Sequence, residues 1–331
     1  MSPKMTPWPT SVGADGKFSA LVTTRLAIMS NAMHPRISSA IGSLIEQRGK
    51  RFRPQLINAA AGWPTQWPDD HVTLGAAVEL IHIGSLLHDD VIDRASERRG
   101  RSSAFATHGA ELAVLAGTAC FAAVGGMVAT FEHEYVRAVA EAVDELADGE
   151  LRDVERAFKI GLDEAEYIEI VAAKTGALFG LCCRLGSMLA RESISDVDAY
   201  GNFGVAFGTA FQILDDCIDF STHAIGKTVG TDCRLGLFGL PIVAALHDKT
   251  NQASVDQLAT LLLADNWNCA SQEAVATLVI ELGGFNKALD VADRTLAEGR
   301  KRMLQHCTDA KAINFADFVE QAYLRFRRDV A

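Results

Sequence analysis

From Asp69 to Leu240 the chain contains no proline, and none follows Pro241. Proline breaks a helix interior by removing an amide donor and clashing with the preceding turn, so long proline-free stretches with apolar periodicity favour helices. Alternating β-branched runs between turn dipeptides, the mark of strands, are weak throughout. The expectation is an all-α fold with long helices. One is read from about Asp70 to Asp93, capped by Asp69 or Asp70. Another starts after Ser195 and runs to about Phe220. Gly201, Gly204 and Gly208 fall on one face of the second, which lets a neighbouring helix come close, although each glycine weakens a helix by about 1 kcal/mol against alanine. No linker or shift in composition divides the 331 residues, so one domain over 1–331 is expected, with residues 1–20 as a flexible lead-in.

Hydrophobic residues make up 49% and charged residues 22%, the profile of a soluble globular protein. A net charge of -11 argues against general affinity for nucleic acid or an anionic membrane, so an anionic substrate must be met by local basic residues or by metal. No apolar run is read as long enough to cross a membrane, and the N-terminus does not resemble a signal peptide. The seven cysteines are scattered without zinc-like spacing, which points to reduced thiols in a cytoplasmic protein.

Both long helices end in the same pattern. "LLHDDVID" (Leu86 to Asp93) and "FQILDDCIDF" (Phe211 to Phe220) each place aspartates at i, i+1 and i+4: Asp89, Asp90 and Asp93, then Asp215, Asp216 and Asp219. Carboxylates crowded onto one turn repel, and acids at a helix C-terminus oppose its dipole. A single copy reads equally well as a solvated helix end; the repeat argues for a bound cation. Oxygen-only ligands suit Mg²⁺, which keeps several waters and is shared with substrate phosphates.

At these residues the sequence resembles the trans-isoprenyl diphosphate synthases, or polyprenyl synthetases. "DDVID" is similar to their first aspartate-rich motif, with "RRG" (Arg98 to Gly100) following, and "FQILDDCID" to their second. "GKRFRP" (Gly49 to Pro54), "KTGALF" (Lys174 to Phe179) and "GKTVGTD" (Gly226 to Asp232) resemble three further segments in the right order. The resemblance implies an all-α isoprenoid-synthase fold, a large helical bundle around a central cavity, usually as a homodimer. It implies head-to-tail condensation of isopentenyl diphosphate with an allylic diphosphate, using two or three Mg²⁺ ions bound with diphosphate. Carried over by position, the six aspartates are metal ligands or their close support. Arg98, Lys174, Thr175, Gln212 and Lys227 match residues around the allylic diphosphate, with Lys174 and Lys227 in the catalytic set. Lys50, Arg53, His82 and Arg99 match those around isopentenyl diphosphate.

Plainer readings stand beside these. Lys50, Arg51 and Arg53 read as a basic helix start, Arg98 and Arg99 as partners of Glu97 or Glu111, His82 as a core histidine, and Lys174 as a chain snorkelling to solvent. Three positions depart from the family's usual residues: Thr118 for Asp, Asp153 for Gln and Gly239 for Thr. The small Gly84 and Ser85, one turn before the first motif, imply an open path for the growing tail and a product longer than C20. Ile81 or Phe121 deeper down would stop it at C20 or shorter. A class I terpene cyclase and a regulatory subunit of a heteromeric synthase are the rival functions.

Overall fold

Helices dominate the described part of the proline-free stretch in a computed structural model that describes residues 15–46, 51–64, 66–98, 101–220, 231–264 and 268–330. In chain order the first helices are α1 (Asp15–Asn31), α2 (Pro35–Glu46), α3 (Phe52–Ala60) and α4 (Asp69–Ile92). A two-stranded antiparallel sheet, β1 (Glu97–Arg98) and β2 (Arg101–Ser102), pairs Glu97 with Ser102 and Arg98 with Arg101. Then come α5 (Ala104–His108), α6 (Ala110–Val128), α7 (His133–Glu155) and α8 (Glu164–Val171). A π-helical turn, Ala172–Gly176, leads into α9 (Ala177–Leu189) and α10 (Ile194–Ile218). The remaining helices are α11 (Thr231–Arg234), α12 (Leu240–Leu246), α13 (Gln252–Leu262), α14 (Cys269–Glu281), α15 (Gly284–His306) and α16 (Ala310–Val330). The all-α expectation holds. Contacts divide the described chain into two compact units, one running up to residue 143 and including 181–200, the other formed by 144–180 and residues from 201 onward.

In the first unit α4 is the central element. It is buried on all sides over its middle: every residue from His71 to Ile81 is buried, the polar His71, Thr73 and Glu79 included. It packs on α1, α3 and, most extensively, α6. Glycine permits that last approach: a Cβ on Gly117 would stand 2.3 Å from His88 Nε2 and 3.0 Å from the Gly84 carbonyl oxygen. The expected aspartate cap of α4 is absent. Pro68 takes the N-cap with no side-chain cap bond, and Asp69 instead pairs with Arg25 within the first turn. Helix α10 begins at Ile194, one residue ahead of Ser195, with the Ser193 hydroxyl accepting from the Asp196 amide. Helix α1 begins inside the stretch expected as a lead-in and buries Phe18.

One apolar run is longer than expected, although the core helix of a folded protein passes the same length and composition test. Helix α6 is 19 residues long and apolar enough to cross a membrane by length and composition. Its run of Ala, Gly and Val looks weakly hydrophobic residue by residue, yet no charge interrupts it after Glu111. One side of α6 is buried against α4 (Ala113, Ala116, Cys120, Val124), while Val114 and Leu115 on the other are 42% and 58% exposed.

In the second unit aromatic rings make the core. Phe203 meets Phe315 edge-on at 6.0 Å, and Phe211 stacks on Phe326 at 4.5 Å. The glycine face of α10 admits α9 as expected. A Cβ on Gly208 would lie 2.8 Å from the Gly176 Cα, and one on Gly180 would lie 3.1 Å from the Gly201 carbonyl oxygen.

Candidate active site

The first aspartate motif sits in the last turn of α4 and at its C-cap, Asp93. Asp89 and Asp93 lie one helical turn apart on one side, and the Asp93 amide donates to the Asp89 carbonyl at 2.8 Å. Asp90 is rotated away by about 100° and fully buried. Its Oδ1 receives Arg98 Nε at 2.8 Å and Nη2 at 2.7 Å, while Oδ2 is buried without a partner. Arg98 therefore pairs with the motif itself rather than with Glu97 or Glu111. It is delivered by β1, and the segment after β2 is pinned by Ser103, which caps α5 and donates to the Ala95 carbonyl at 2.5 Å.

Gly84 and Ser85 differ in surroundings. Gly84 is buried against α6, where an added Cβ would meet Phe121 at 3.2 Å and Cys120 at 3.3 Å. Ser85 is half-buried and donates to the His82 carbonyl at 2.9 Å. His82 is half-buried on the same helix.

Lys50, Arg99 and Lys227 lie outside the described residues. The neighbouring Arg51 is not the solvated basic residue its sequence position suggests. It caps α3 with φ of 40°, and its guanidinium turns inward to Glu79 Oε2 (2.7 Å), the Ile45 carbonyl (2.9 Å) and Thr23 Oγ1 (2.8 Å). This buried anchor orients the start of α3, where Arg53 is half-buried. No sequence signal distinguished Arg51 from the two basic residues beside it.

The second motif closes α10, with Asp219 just beyond its end. Asp216 is the hydrogen-bonding hub. Oδ1 accepts from Gln212 Nε2 at 3.0 Å, and Oδ2 accepts from the Tyr167 hydroxyl and from the Leu240 amide at 3.3 Å. Burial pushes the Asp216 carboxyl above its ordinary range, against the hydrogen bonds from Tyr167 and Gln212. Burial also drives the Tyr167 phenol well up, and the Asp216 charge adds to this. Thr175 Oγ1 donates to Gln212 Oε1 at 3.1 Å, so Thr175, Gln212 and Asp216 form one chain of contacts.

Lys174 does not snorkel. It sits in the π turn, with Nζ 2.7 Å from Asp153 Oδ2 and 2.9 Å from Glu150 Oε2. Gly149 brings α7 this close, since a Cβ there would stand 2.3 Å from the Lys174 backbone nitrogen. Asp153 also receives Arg156 Nε at 2.5 Å. Of the three departures, Asp153 and Gly239 thus fall at this cluster, whereas Thr118 is exposed on α6. Tyr167, Arg156 and Glu150 escaped the sequence reading because nothing local in their segments marks a contact.

Among the described residues no three His, Cys, Asp or Glu side chains converge closely enough to cage a metal ion unaided. The donors still fit Mg²⁺, which takes one or two carboxylates and completes its shell with water and substrate phosphate. The buried, unpartnered Asp90 Oδ2 is a further acceptor of that hard-oxygen type.

The sequence model described as polyprenyl synthetase matches residues 34–278. A nonaprenyl diphosphate synthase of Mycobacterium tuberculosis is 33% identical over 300 residues, 87% of this chain and 89% of that protein. Among solved structures, a decaprenyl diphosphate synthase from Rhodobacter capsulatus superposes with a TM-score of 0.84 at 29% identity, over 95% of this chain and 97% of that one. A geranylgeranyl pyrophosphate synthase from Corynebacterium glutamicum, solved with calcium and isoprenyl diphosphate, gives 0.80 at 26% identity over 98% of both chains.

Proposed function

Because the chain belongs to the polyprenyl synthetase family, we propose that it condenses isopentenyl diphosphate with an allylic diphosphate, head to tail, to give a trans-polyprenyl diphosphate longer than C20. The observation that carries the reading is the treatment of the middle aspartate in each motif. Asp90 is held by Arg98 and Asp216 by Tyr167 and Gln212, so each helix end is a rigid mount for Asp89 and Asp93, or Asp215 and Asp219. These carboxylates hold Mg²⁺ with the allylic diphosphate, as calcium accompanies isoprenyl diphosphate in the Corynebacterium enzyme. Bound there, Mg²⁺ supplies charge neutralisation to the leaving diphosphate. The chain's own cations complete the work. Lys174, Thr175, Gln212, Arg98 and Lys227 orient the allylic diphosphate, and Lys50, Arg53, His82 and Arg99 hold isopentenyl diphosphate through fixed charge. Acidic Asp153 and Glu150 keep the Lys174 ammonium extended for that contact.

The nonaprenyl and decaprenyl relatives support a long product, and half-buried Ser85 keeps the path beside Asp89 open. The family match crosses both compact units, which supports one functional domain. The exposed apolar side of α6, with Val114, Leu115 and Ala122, supports a homodimer. The six cysteines described are all buried and free, which supports a cytoplasmic location. The purified chain, given Mg²⁺, labelled isopentenyl diphosphate and allylic starters of several lengths, should elongate them without a second subunit, to products beyond C20. Products that stop at C20 would correct the chain length. A requirement for a partner, or cyclic hydrocarbon products, would overturn the assignment.

A further inference from the structure

One guanidinium joins a cation expected at the substrate to an aspartate of the second motif. Asp153 takes Lys174 on Oδ2 and Arg156 on Oδ1. Arg156 Nη1 donates to the Phe238 carbonyl at 2.7 Å, and its guanidinium lies 5.6 Å over the Tyr167 ring. Tyr167 donates to Asp216 Oδ2. The three linking side chains are buried, Asp153 to 5%, Arg156 to 8% and Tyr167 to 0% exposure. The ion pair between Asp153 and Arg156 does not close on itself. It continues at both ends to residues of the proposed site. Gly239 leaves the room it needs, since a Cβ there would stand 2.7 Å from the same Oδ2.

We propose that Asp153, Arg156 and Tyr167 form a positioning relay that holds the Lys174 ammonium and the Asp216 carboxylate in one fixed register for a metal-bound diphosphate. The inference rests on the function proposed above. In this proposal none of the three linking residues touches substrate. Their effect is to remove the freedom of two groups that do, so that binding a diphosphate needs less ordering. Because the links are in series, breaking either end releases the same constraint.

The test is calorimetric titration of inorganic diphosphate in the presence of Mn²⁺ into the wild-type chain, Tyr167→Phe, Asp153→Asn and the double variant. Each single change should weaken binding about fivefold, and the double change by well under the ~25-fold expected of independent sites. In steady state both should raise KM for the allylic diphosphate and leave KM for isopentenyl diphosphate unchanged. Tyr167→Phe removes one oxygen and keeps the ring, the smallest change that breaks the link to Asp216. Should Asp153→Asn not fold, Tyr167→Phe decides alone. Binding unchanged in Tyr167→Phe, or single effects that multiply fully, would overturn the relay. Absence of metal-dependent diphosphate binding by the wild type would instead overturn the functional reading beneath it.

Discussion

Arg98 sets two nitrogens on one oxygen of Asp90, at 2.8 and 2.7 Å, and the other oxygen of that carboxylate is buried with no partner. The two ends of this pair differ in burial, 1% side-chain exposure for Asp90 and 26% for Arg98. Removing the arginine leaves a buried charge uncompensated, at about 3 kcal/mol or more. Removing the charge from the aspartate leaves a guanidinium that water can reach, at about 1 kcal/mol. Arg98→Ala should therefore lower stability in urea clearly more than Asp90→Asn. Equal losses would show that the pair is not anchored from the Asp90 side.

The motif aspartates on the outer turns should govern the chemical step. Asp89→Asn and Asp215→Asn should each lower kcat by at least ~10²-fold, equivalent to about 2.7 kcal/mol of transition-state stabilisation. EDTA should abolish turnover of the wild type. A near-wild-type kcat in either variant would sink the two-motif mechanism.

Gly84 and Ser85 should separate when each is replaced by Phe. At Gly84 the new ring must enter the α4–α6 contact, where Cys120 and Phe121 already lie within 3.3 Å of an added Cβ. Overpacking should cost about 1–3 kcal/mol there without changing product length. Ser85→Phe should leave a folded enzyme whose products are shorter by one or more isoprene units. Product analysis by mass spectrometry checks both, and unchanged length in a folded Ser85→Phe would defeat the open path.

Arg51 predicts a stability defect with a kinetic signature. Arg51→Ala strands Glu79, whose side chain is only 10% exposed, and loosens the start of α3. The loss should be about 3 kcal/mol, with KM for isopentenyl diphosphate rising more than KM for the allylic substrate. Arg51→Lys should recover little, because one ammonium cannot reach Thr23, Ile45 and Glu79 together.

Asp153 sets an acid limb. Burial alone would raise its pKa, but the Lys174 and Arg156 charges outweigh burial and hold it below the ordinary 3.8. A carboxyl whose folded pKa is depressed contributes stability above its unfolded pKa and loses it as pH falls through the folded value. Melting temperature should therefore fall below about pH 4, and fall less steeply in Asp153→Asn. Parallel curves between pH 5 and pH 2 would remove Asp153 from the acid transition.

What could be read in the sequence was local. Helices α4 and α10 lie within a residue or two of expectation because uninterrupted apolar periodicity and the absence of proline act within each segment. The aspartate spacing was visible for the same reason. The contact between Tyr167 and Asp216 joins positions 49 residues apart, and nothing in "DEAEYIEIV" announces it. Arg51 stood between two basic residues in the sequence and turned inward, a choice made by Glu79 on another helix. The membrane-length character of α6 was hidden by small side chains, which contribute little each but are never interrupted by charge. The cap position of α4 fell to Pro68, and Asp69 lies inside the first turn, where it meets Arg25 on another helix.

The π turn at Ala172–Gly176 closes with the Ala177 amide bonded to the Ala172 carbonyl, five residues back where an α-helix would reach four. Each residue of an α-helix turns the chain by about 100°. One residue more or fewer within this turn is therefore an angular change, and everything on one side of it would swing by that amount against everything on the other. Glu150 and Asp153 meet Lys174 only at the present angle, and Gly149 is fitted to the backbone of that lysine. A chimera joined to a relative inside residues 172–176 would keep the lysine aimed at its two carboxylates only if the donor segment brings the same number of residues.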